Sequence, residues 1–226
     1  MSKVAFQGEL GAYSHIAAKE LFPDSIITTC STFEETFRLA HSDSSYKVLI
    51  PIENSLAGRV ADIHYLLPKY KLQIYGEHFQ RVEHNLLSIQ SAKLSDIKFV
   101  RSHAQAIGQC QDLIIKNKFK TIISADTAGS AKDLSENNDK SIAAIASGLS
   151  AEIYNLKILK KNIEDESGNV TRFLIMGKDI QQPKYDSKKK FITSCIFRLK
   201  SIPSALYKCL GGFATNQINM TKLESF

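Results

Sequence analysis

The sequence predicts an α/β protein built as two lobes. Short apolar or β-branched runs alternate with helical runs over residues 1–75, and the same alternation recurs over 95–160. Longer strand-like runs at 72–79 and 85–89 lie between the two blocks, and a further strand at 170–176 follows the second. Mostly parallel sheets are expected, with a ligand beyond the carboxyl ends of the strands, in the cleft between lobes.

The elements follow in order. Residues 3–7 form a short apolar strand, and Gly8 and Gly11 mark a turn after it. Residues 13–22 read as a helix that stops before Pro23, where a proline cannot continue the hydrogen-bond ladder. Residues 25–30 are β-branched and strand-like. Thr32-Phe33-Glu34-Glu35 is a capping box: Thr32 caps the helix and Glu35 reaches back to it. Phe33, Phe37 and Ala40 then share one helical face. A strand at 47–50 is ended by Pro51.

In the second block, residues 98–101 are a strand and 103–115 a helix with Ile107, Cys110 and Ile114 on one face. A strand at 121–124, a helix at 127–134 and a strand at 142–145 come next. An alanine-rich helix and a strand at 157–161 complete the block. Lobe one takes about 1–76 plus 165–178, and lobe two about 77–164. Residues 179–190 are polar, with proline and a lysine run, and read as a linker. A strand at 191–199, a helix at 204–214 and a strand at 218–223 follow it. There is no repeat of solenoid length and no low-complexity segment.

Composition narrows the function classes. The chain has 226 residues, 43% hydrophobic and 23% charged, ordinary values for a soluble globular protein. No apolar run approaches the roughly 20 residues that span a bilayer, and the N-terminal stretch lacks a signal-like apolar core, so a cytoplasmic protein without membrane association is expected. Cys30, Cys110, Cys195 and Cys209 have no CxxC spacing and read as buried free thiols in a reducing compartment. The six histidines lack HxxxH or HExxH spacing, so no metal site is expected. The net charge of +6 is lysine spread along the chain, with only six arginines and no basic stripe interleaved with aromatics. That pattern suits solubility and mild steering of anionic ligands, and no nucleic-acid partner is expected.

Four turns that follow strands and open helices carry the informative residues: 8–14, 51–58, 102–106 and 126–131. A helix start has free N–H groups and the positive end of the helix dipole, so several aimed at one cleft make an anion site without many arginines. A plainer alternative stands beside this one. Ser14, Ser102 and Asp126 also suit N-caps, Gly8, Gly11 and Gly129 also suit turn geometry, and His103 a helix start. GxGxxG, GxxxxGK[ST] and GxSxG are all absent.

The segments at residues 6–14, 51–55, 102–105 and 126–131 resemble motifs of the prephenate dehydratases, and Asn169-Val170-Thr171-Arg172-Phe173-Leu174 resembles that family's Thr-Arg-Phe signature. They occur in the family's order and cover residues 3–177. The resemblance implies a catalytic domain over residues 1–178, two-lobed with a central cleft like the type II periplasmic binding proteins. It also implies a ferredoxin-like ACT domain that senses phenylalanine, matched in part by residues 191–226. There Ser204, Ala205 and Leu206 stand where the family has Gly-Ala-Leu, and Glu224 and Ser225 begin its Glu-Ser-Arg-Pro motif; these five are the expected regulatory residues.

The implied reaction turns prephenate into phenylpyruvate with loss of water and carbon dioxide, as in phenylalanine biosynthesis. Aromatisation drives it, so no cofactor and no metal are expected. By the same resemblance Thr171 is the donor to the departing ring hydroxyl, better described as a positioned hydrogen-bond donor than as a free acid. Arg172 is expected to grip a carboxylate as a bidentate fork, with a structural salt bridge as the alternative. Phe173 packs beneath the site. Substrate contacts are expected from Gly11, Ala12, Tyr13 and Ser14, from Glu53, Asn54 and Ser55, from Ser102, His103 and Gln105, and from Thr127, Ala128 and Gly129. Asn54 is the direct contact and Glu53 its support, while His103 is the alternative proton donor. The rivals are arogenate dehydration and a non-catalytic aromatic-acid or amino-acid sensor, against which the intact Thr171-Arg172-Phe173 argues. Prephenate is the expected partner, phenylalanine a candidate effector, and a homodimer or tetramer the expected assembly.

Overall fold

The computed structural model describes residues 2–60, 63–179 and 184–225. The chain divides into two compact units, residues 1–182 and 183–226.

The first unit is a mixed α/β fold with two sheets. In the first sheet β1 (Lys3–Gln7) runs parallel to β2 (Ile26–Cys30) and to β3 (Tyr46–Asn54). The crossovers are α1 (Tyr13–Leu21) and α2 (Phe33–Ser42), which cover opposite faces. Alternation along the strands sorts the core accordingly. Val4, Phe6 and Leu49 pack with Ala17 and Ala18 of α1, while Ala5, Val48 and Ile50 pack with Phe37 and Ala40 of α2. Half of the capping box expected at α2 forms: Thr32 Oγ1 accepts from Glu35 N at 3.1 Å, but the Glu35 carboxylate accepts from Ser31 N at 2.8 Å, one residue before the cap.

After β4 (Gly58–Arg59) and α3 (Leu66–Tyr70), β5 (Gln73–Arg81) forms the far edge of this sheet. The chain leaves the sheet after Arg81, a few residues beyond the crossing expected near residue 76. The second sheet has β6 (Asn85–Ser88), β7 (Phe99–His103), β8 (Lys120–Ser124), β9 (Ile142–Ala146) and β10 (Lys157–Lys160), in the order β10-β6-β9-β7-β8. Its helices are α4 (Ala104–Gly108), α5 (Gln111–Asn117), α6 (Thr127–Asn137) and α7 (Gly148–Ile153). The chain then returns, and β11 (Val170–Gly177) inserts antiparallel between β3 and β5.

Three sequence expectations need correction here. The sheets are mixed: within the alternating blocks the strands pair in parallel, but β11, β4, β6 and β10 pair antiparallel. The antiparallel members β6 and β11 begin where the chain enters each sheet from the other lobe. Pro51 does not end β3, because β11 shifts register between Arg172 and Phe173, opposite it. Such an irregularity tolerates a residue without an N–H. The helix expected over 103–115 is two helices, since Cys110 (φ −128°, ψ 31°) leaves the helical region. The Asp165 carboxylate stabilises the break by accepting from Gln111 N at 2.7 Å and Asp112 N at 3.1 Å at the new helix start.

The loop between β1 and α1 is fastened to the second lobe. Ser147 Oγ and Ser150 Oγ both donate to the Gly11 carbonyl, at 2.6 and 3.1 Å, and Tyr154 Oη donates to the Leu10 carbonyl at 2.9 Å. Lys132 pairs with Glu9 at 3.2 Å. Gly11 has φ +92°, and a Cβ there would lie 2.5 Å from Ser150 Oγ and 2.9 Å from Ser150 Cα.

In the second unit α8 (Ala205–Thr215) is the element formed among the described residues. The strands expected at 191–199 and 218–223 are not formed. An extended run becomes a strand only when its N–H and C=O groups meet a neighbouring ladder, and neither run meets one here. Ser204 stands at the start of α8 in the left-handed region (φ 64°) without a side-chain cap, Ala205 and Leu206 open the helix, and Leu206 is exposed. Glu224 and Ser225 lie beyond it in irregular backbone. Among the described residues no helix is long and apolar enough to cross a membrane.

Gly11→Ala is expected to destabilise the first unit by roughly 2–3 kcal/mol. The loss is read from the urea unfolding midpoint.

Candidate active site

Strand alternation sorts the segment that carries the Thr-Arg-Phe motif. Thr171 pairs across β3 with Asn54 and Arg172 with Glu53, so the two pairs project from opposite faces of the sheet. Thr171 and Asn54 form the centre of the site, on the face that α1 covers.

Asn54 ends β3, and its side-chain oxygen accepts from the backbone N–H groups of Leu56 at 3.0 Å and Ala57 at 2.9 Å. This is an Asx-type turn, which stops the strand and holds the amide. Asn54 Nδ2 donates to Thr171 Oγ1 at 3.0 Å and to Asn169 Oδ1 at 2.6 Å. Ser55 fastens the same corner, with its N–H donating to the Val170 carbonyl at 2.9 Å and its hydroxyl accepting from Val170 N at 3.0 Å.

The polar chain continues into the second lobe. Asn169, almost fully buried, donates through Nδ2 to Gln109 Oε1 at 2.8 Å. Gln109 Oε1 lies 3.0 Å from His84 Nε2, and His84 Nδ1 lies 2.9 Å from Tyr13 Oη, back in the first lobe. Burial pushes the Tyr13 phenol well above its ordinary range, helped by Glu164, Cys110 and Glu83. Burial holds the His84 imidazole below its ordinary value, against the opposing pull of Gln109 and Glu164.

Thr171 Oγ1 is therefore an acceptor from Asn54, and its own proton meets no acceptor among the described residues. A hydroxyl that already accepts one hydrogen bond is a stronger donor in the next. The arrangement suits delivery of a hydrogen bond to a leaving oxygen.

Arg172 is differently occupied. Its Nε and Nη2 lie 2.8 and 2.7 Å from Glu77 Oε2, and Nη1 lies 3.5 Å from Glu53. The fork expected for a substrate carboxylate is taken by two carboxylates of the protein, on the face away from Thr171. The structural salt bridge is the arrangement seen. Phe173 is buried with Phe6, Ala17 and Leu49, beneath Thr171 on its own face.

The turns expected to present free N–H groups are largely self-capped. His103 Nδ1 accepts from Gln105 N at 3.3 Å, and the Asp126 carboxylate accepts from Gly129 N at 2.6 Å. A Cβ on Gly129 would lie 2.7 Å from that carboxylate, so the glycine makes room for the cap. Thr127 is half-buried and Ala128 buried beside it. Ser102 is fully buried and donates to the Ile145 carbonyl at 2.7 Å, joining β7 to β9. Gln105 is exposed. At α1, Ala12 is the cap without a side-chain bond, Ser14 is buried, and Gly11 N donates to His15 Nδ1 at 3.0 Å.

Three residues that matter here escaped sequence reasoning: Gln109, His84 and Asn169 as a ligand to its neighbours. Gln109 is the last residue before the helix break at Cys110, so the signal for it is the break, which helical periodicity does not show.

Comparison with known proteins gives the family and the fold. A family model described as prephenate dehydratase matches residues 4–181. A bifunctional N-acyl-homoserine lactone acylase/prephenate dehydratase of Komagataeibacter europaeus is 42% identical over 99% of the chain and 79% of its own length. Arogenate dehydratase/prephenate dehydratase 2 of Arabidopsis thaliana is 38% identical over 99% of the chain, which spans 58% of that protein. The crystal structure of a prephenate dehydratase from Arthrobacter aurescens in complex with L-Phe superposes with a TM-score of 0.87 at 24% identity, covering 99% of this chain and 75% of that one.

Arg172→Lys is expected to lower stability by about 1–2 kcal/mol, through loss of the forked contact. KM for substrate should change less than about twofold. Thermal unfolding and steady-state kinetics check the two halves.

Proposed function

The chain belongs to the prephenate dehydratase family, and on that premise we propose that Thr171 is the hydrogen-bond donor in its reaction. Membership makes it a carbon–oxygen lyase of aromatic amino-acid biosynthesis. The decarboxylative dehydration of prephenate to phenylpyruvate supplies the chemistry to be explained. The bond from the ring to its carboxylate breaks and carbon dioxide leaves. The electron pair moves into the ring, and the ring hydroxyl departs from the opposite carbon. Hydroxide is a poor leaving group, so a proton or a strong hydrogen bond must reach that oxygen as the C–O bond lengthens.

One observation carries the role of Thr171: Asn54 Nδ2 donates to its oxygen at 3.0 Å, leaving its proton free for the substrate. Threonine is too weak an acid to give up its proton unaided, so the stabilisation is electrostatic and grows with charge on the leaving oxygen. Asn54 and Asn169 are the residues that hold the donor. Arg172 contributes by stiffening β11 against β3 and β5 rather than by touching substrate.

The two sheets, joined by chain crossings between β5 and β6 and between β10 and β11, support the reading of the first unit as a type II periplasmic-binding-protein-like domain with its cleft at Thr171. For the second unit we propose part of an ACT domain with phenylalanine as effector, a reading supported by the L-Phe complex of the Arthrobacter aurescens protein. Exposed Phe191, Ile192, Ile196 and Leu206 support a homodimer or tetramer. Buried free thiols at Cys30 and Cys110 support a reducing, cytoplasmic setting; Cys195 is exposed and Cys209 half-buried, against the burial expected of all four.

Thr171→Ala is expected to lower kcat by about 100- to 1,000-fold with KM within about threefold, followed as phenylpyruvate absorbance. Thr171→Ser should retain most activity. Equal losses in kcat and in binding would remove the donor role. The same assay with arogenate, read as phenylalanine formed, decides substrate preference.

A further inference from the structure

The direction of every hydrogen bond between Thr171 and His84 is fixed from one end. Asn54 Oδ1 faces the backbone N–H groups of Leu56 and Ala57, which only donate. The amide therefore cannot be turned over, and Nδ2 must face Thr171 Oγ1 and Asn169 Oδ1. Because Asn169 Oδ1 accepts, Asn169 Nδ2 must donate to Gln109 Oε1, 2.8 Å away. Because Gln109 presents its oxygen, the imidazole nitrogen 3.0 Å from it, His84 Nε2, has to bring a proton.

We infer that His84 is a positioning residue of the site: its Nε2–H holds Gln109 in the orientation that lets Asn169 and Asn54 point the Thr171 hydroxyl at the substrate. The inference rests on the donor role given to Thr171. His84 is 3% exposed and lies in the segment that carries the chain from β5 to β6. Its backbone N–H donates to Glu164 Oε2 at 2.9 Å, so the segment before β11 fixes its position. The charged and titratable groups around the ring are Tyr13 of α1, Glu83 on its own segment, Cys110 at the break between α4 and α5, and Glu164. The Tyr13 hydroxyl has one proton and two acceptors in reach, the Glu83 carbonyl at 2.8 Å and Nδ1 at 2.9 Å; a neutral ring protonated at Nε2 leaves Nδ1 an acceptor, so that proton is shared between the two. One ring thus touches both lobes, Tyr13 through Nδ1 and Gln109 through Nε2.

Two measurements test this. Long-range 1H–15N spectra of the chain labelled at histidine nitrogens read the tautomer of His84 directly, near neutral pH. A proton on Nε2 is expected; protonation of Nδ1 alone would overturn the inference. Turnover plays no part in that experiment, so it stands or falls apart from the role of Thr171. The second measurement uses amides as partial mimics of the ring. His84→Gln puts an amide where Nε2 stood, and His84→Asn puts one where Nδ1 stood. His84→Asn is expected to lower kcat by about 10- to 100-fold, with KM within about threefold. His84→Gln should return kcat to within about fivefold of the unsubstituted chain. Unchanged kcat in His84→Asn, or equal losses in both variants at matched Tm, would overturn it. Loss of the Thr171 role, by contrast, shows as full turnover in Thr171→Ala with the tautomer unchanged.

Discussion

Two backbone N–H groups at the end of β3 set the polarity of the whole site. Leu56 and Ala57 can only donate, so the Asn54 carbonyl must face them, and its amino group must face Thr171 and Asn169. A neutral amide in open solvent has no preferred direction. Held by a turn, it becomes a fixed dipole, and each group it touches inherits a definite role as donor or acceptor. With Thr171 as the proposed donor, the result is preorganisation: its hydroxyl is aimed before substrate arrives, and little reorientation is needed during reaction.

The second constraint is the placement of β11. A strand from the end of the first unit lies between two from its beginning, β3 and β5. That placement brings Thr171 beside Asn54 and Asn169 within reach of Gln109. It also buries Phe173 and Ile175 against α1 and Leu174 and Met176 against the α2 side, so both faces of the strand are anchored by apolar packing. The Arg172 pairs with Glu77 and Glu53 then tie β11 to its neighbours on either side. The proposed donor Thr171 and the salt-bridged Arg172 are adjacent residues of one strand, and the two-residue period sends them to opposite faces.

Much of this is legible in the sequence, for identifiable reasons. Each alternating strand and helix of the two blocks has a local signal, and the Thr32–Glu35 cap shows which kind. The five motifs lie at strand ends and turns, where side-chain identity is set by the chain's own backbone. What sequence does not show is long-range. Nothing near Arg172 announces that Glu77, far along the chain and one strand away, will occupy its guanidinium. Gln105 and Gln109 look alike in a helical pattern; the break at Cys110, stabilised from Asp165, separates their fates. The strands expected in the second unit have the right composition, but a strand also needs a neighbour, and composition does not report one.

The position of β11 also bears on how the protein is made. Arg81 ends β5 and Val170 begins β11, so the ribosome must add 88 residues between them. At about 5–20 residues per second that takes on the order of 4–18 seconds. Throughout that interval the first sheet lacks its central antiparallel member, and the edges of β3 and β5 that will receive it are unpaired. The second lobe, whose strands and helices are contiguous in sequence, has time to assemble first. The nascent first lobe therefore emerges with an open seam, a state in which chaperone capture competes with aggregation.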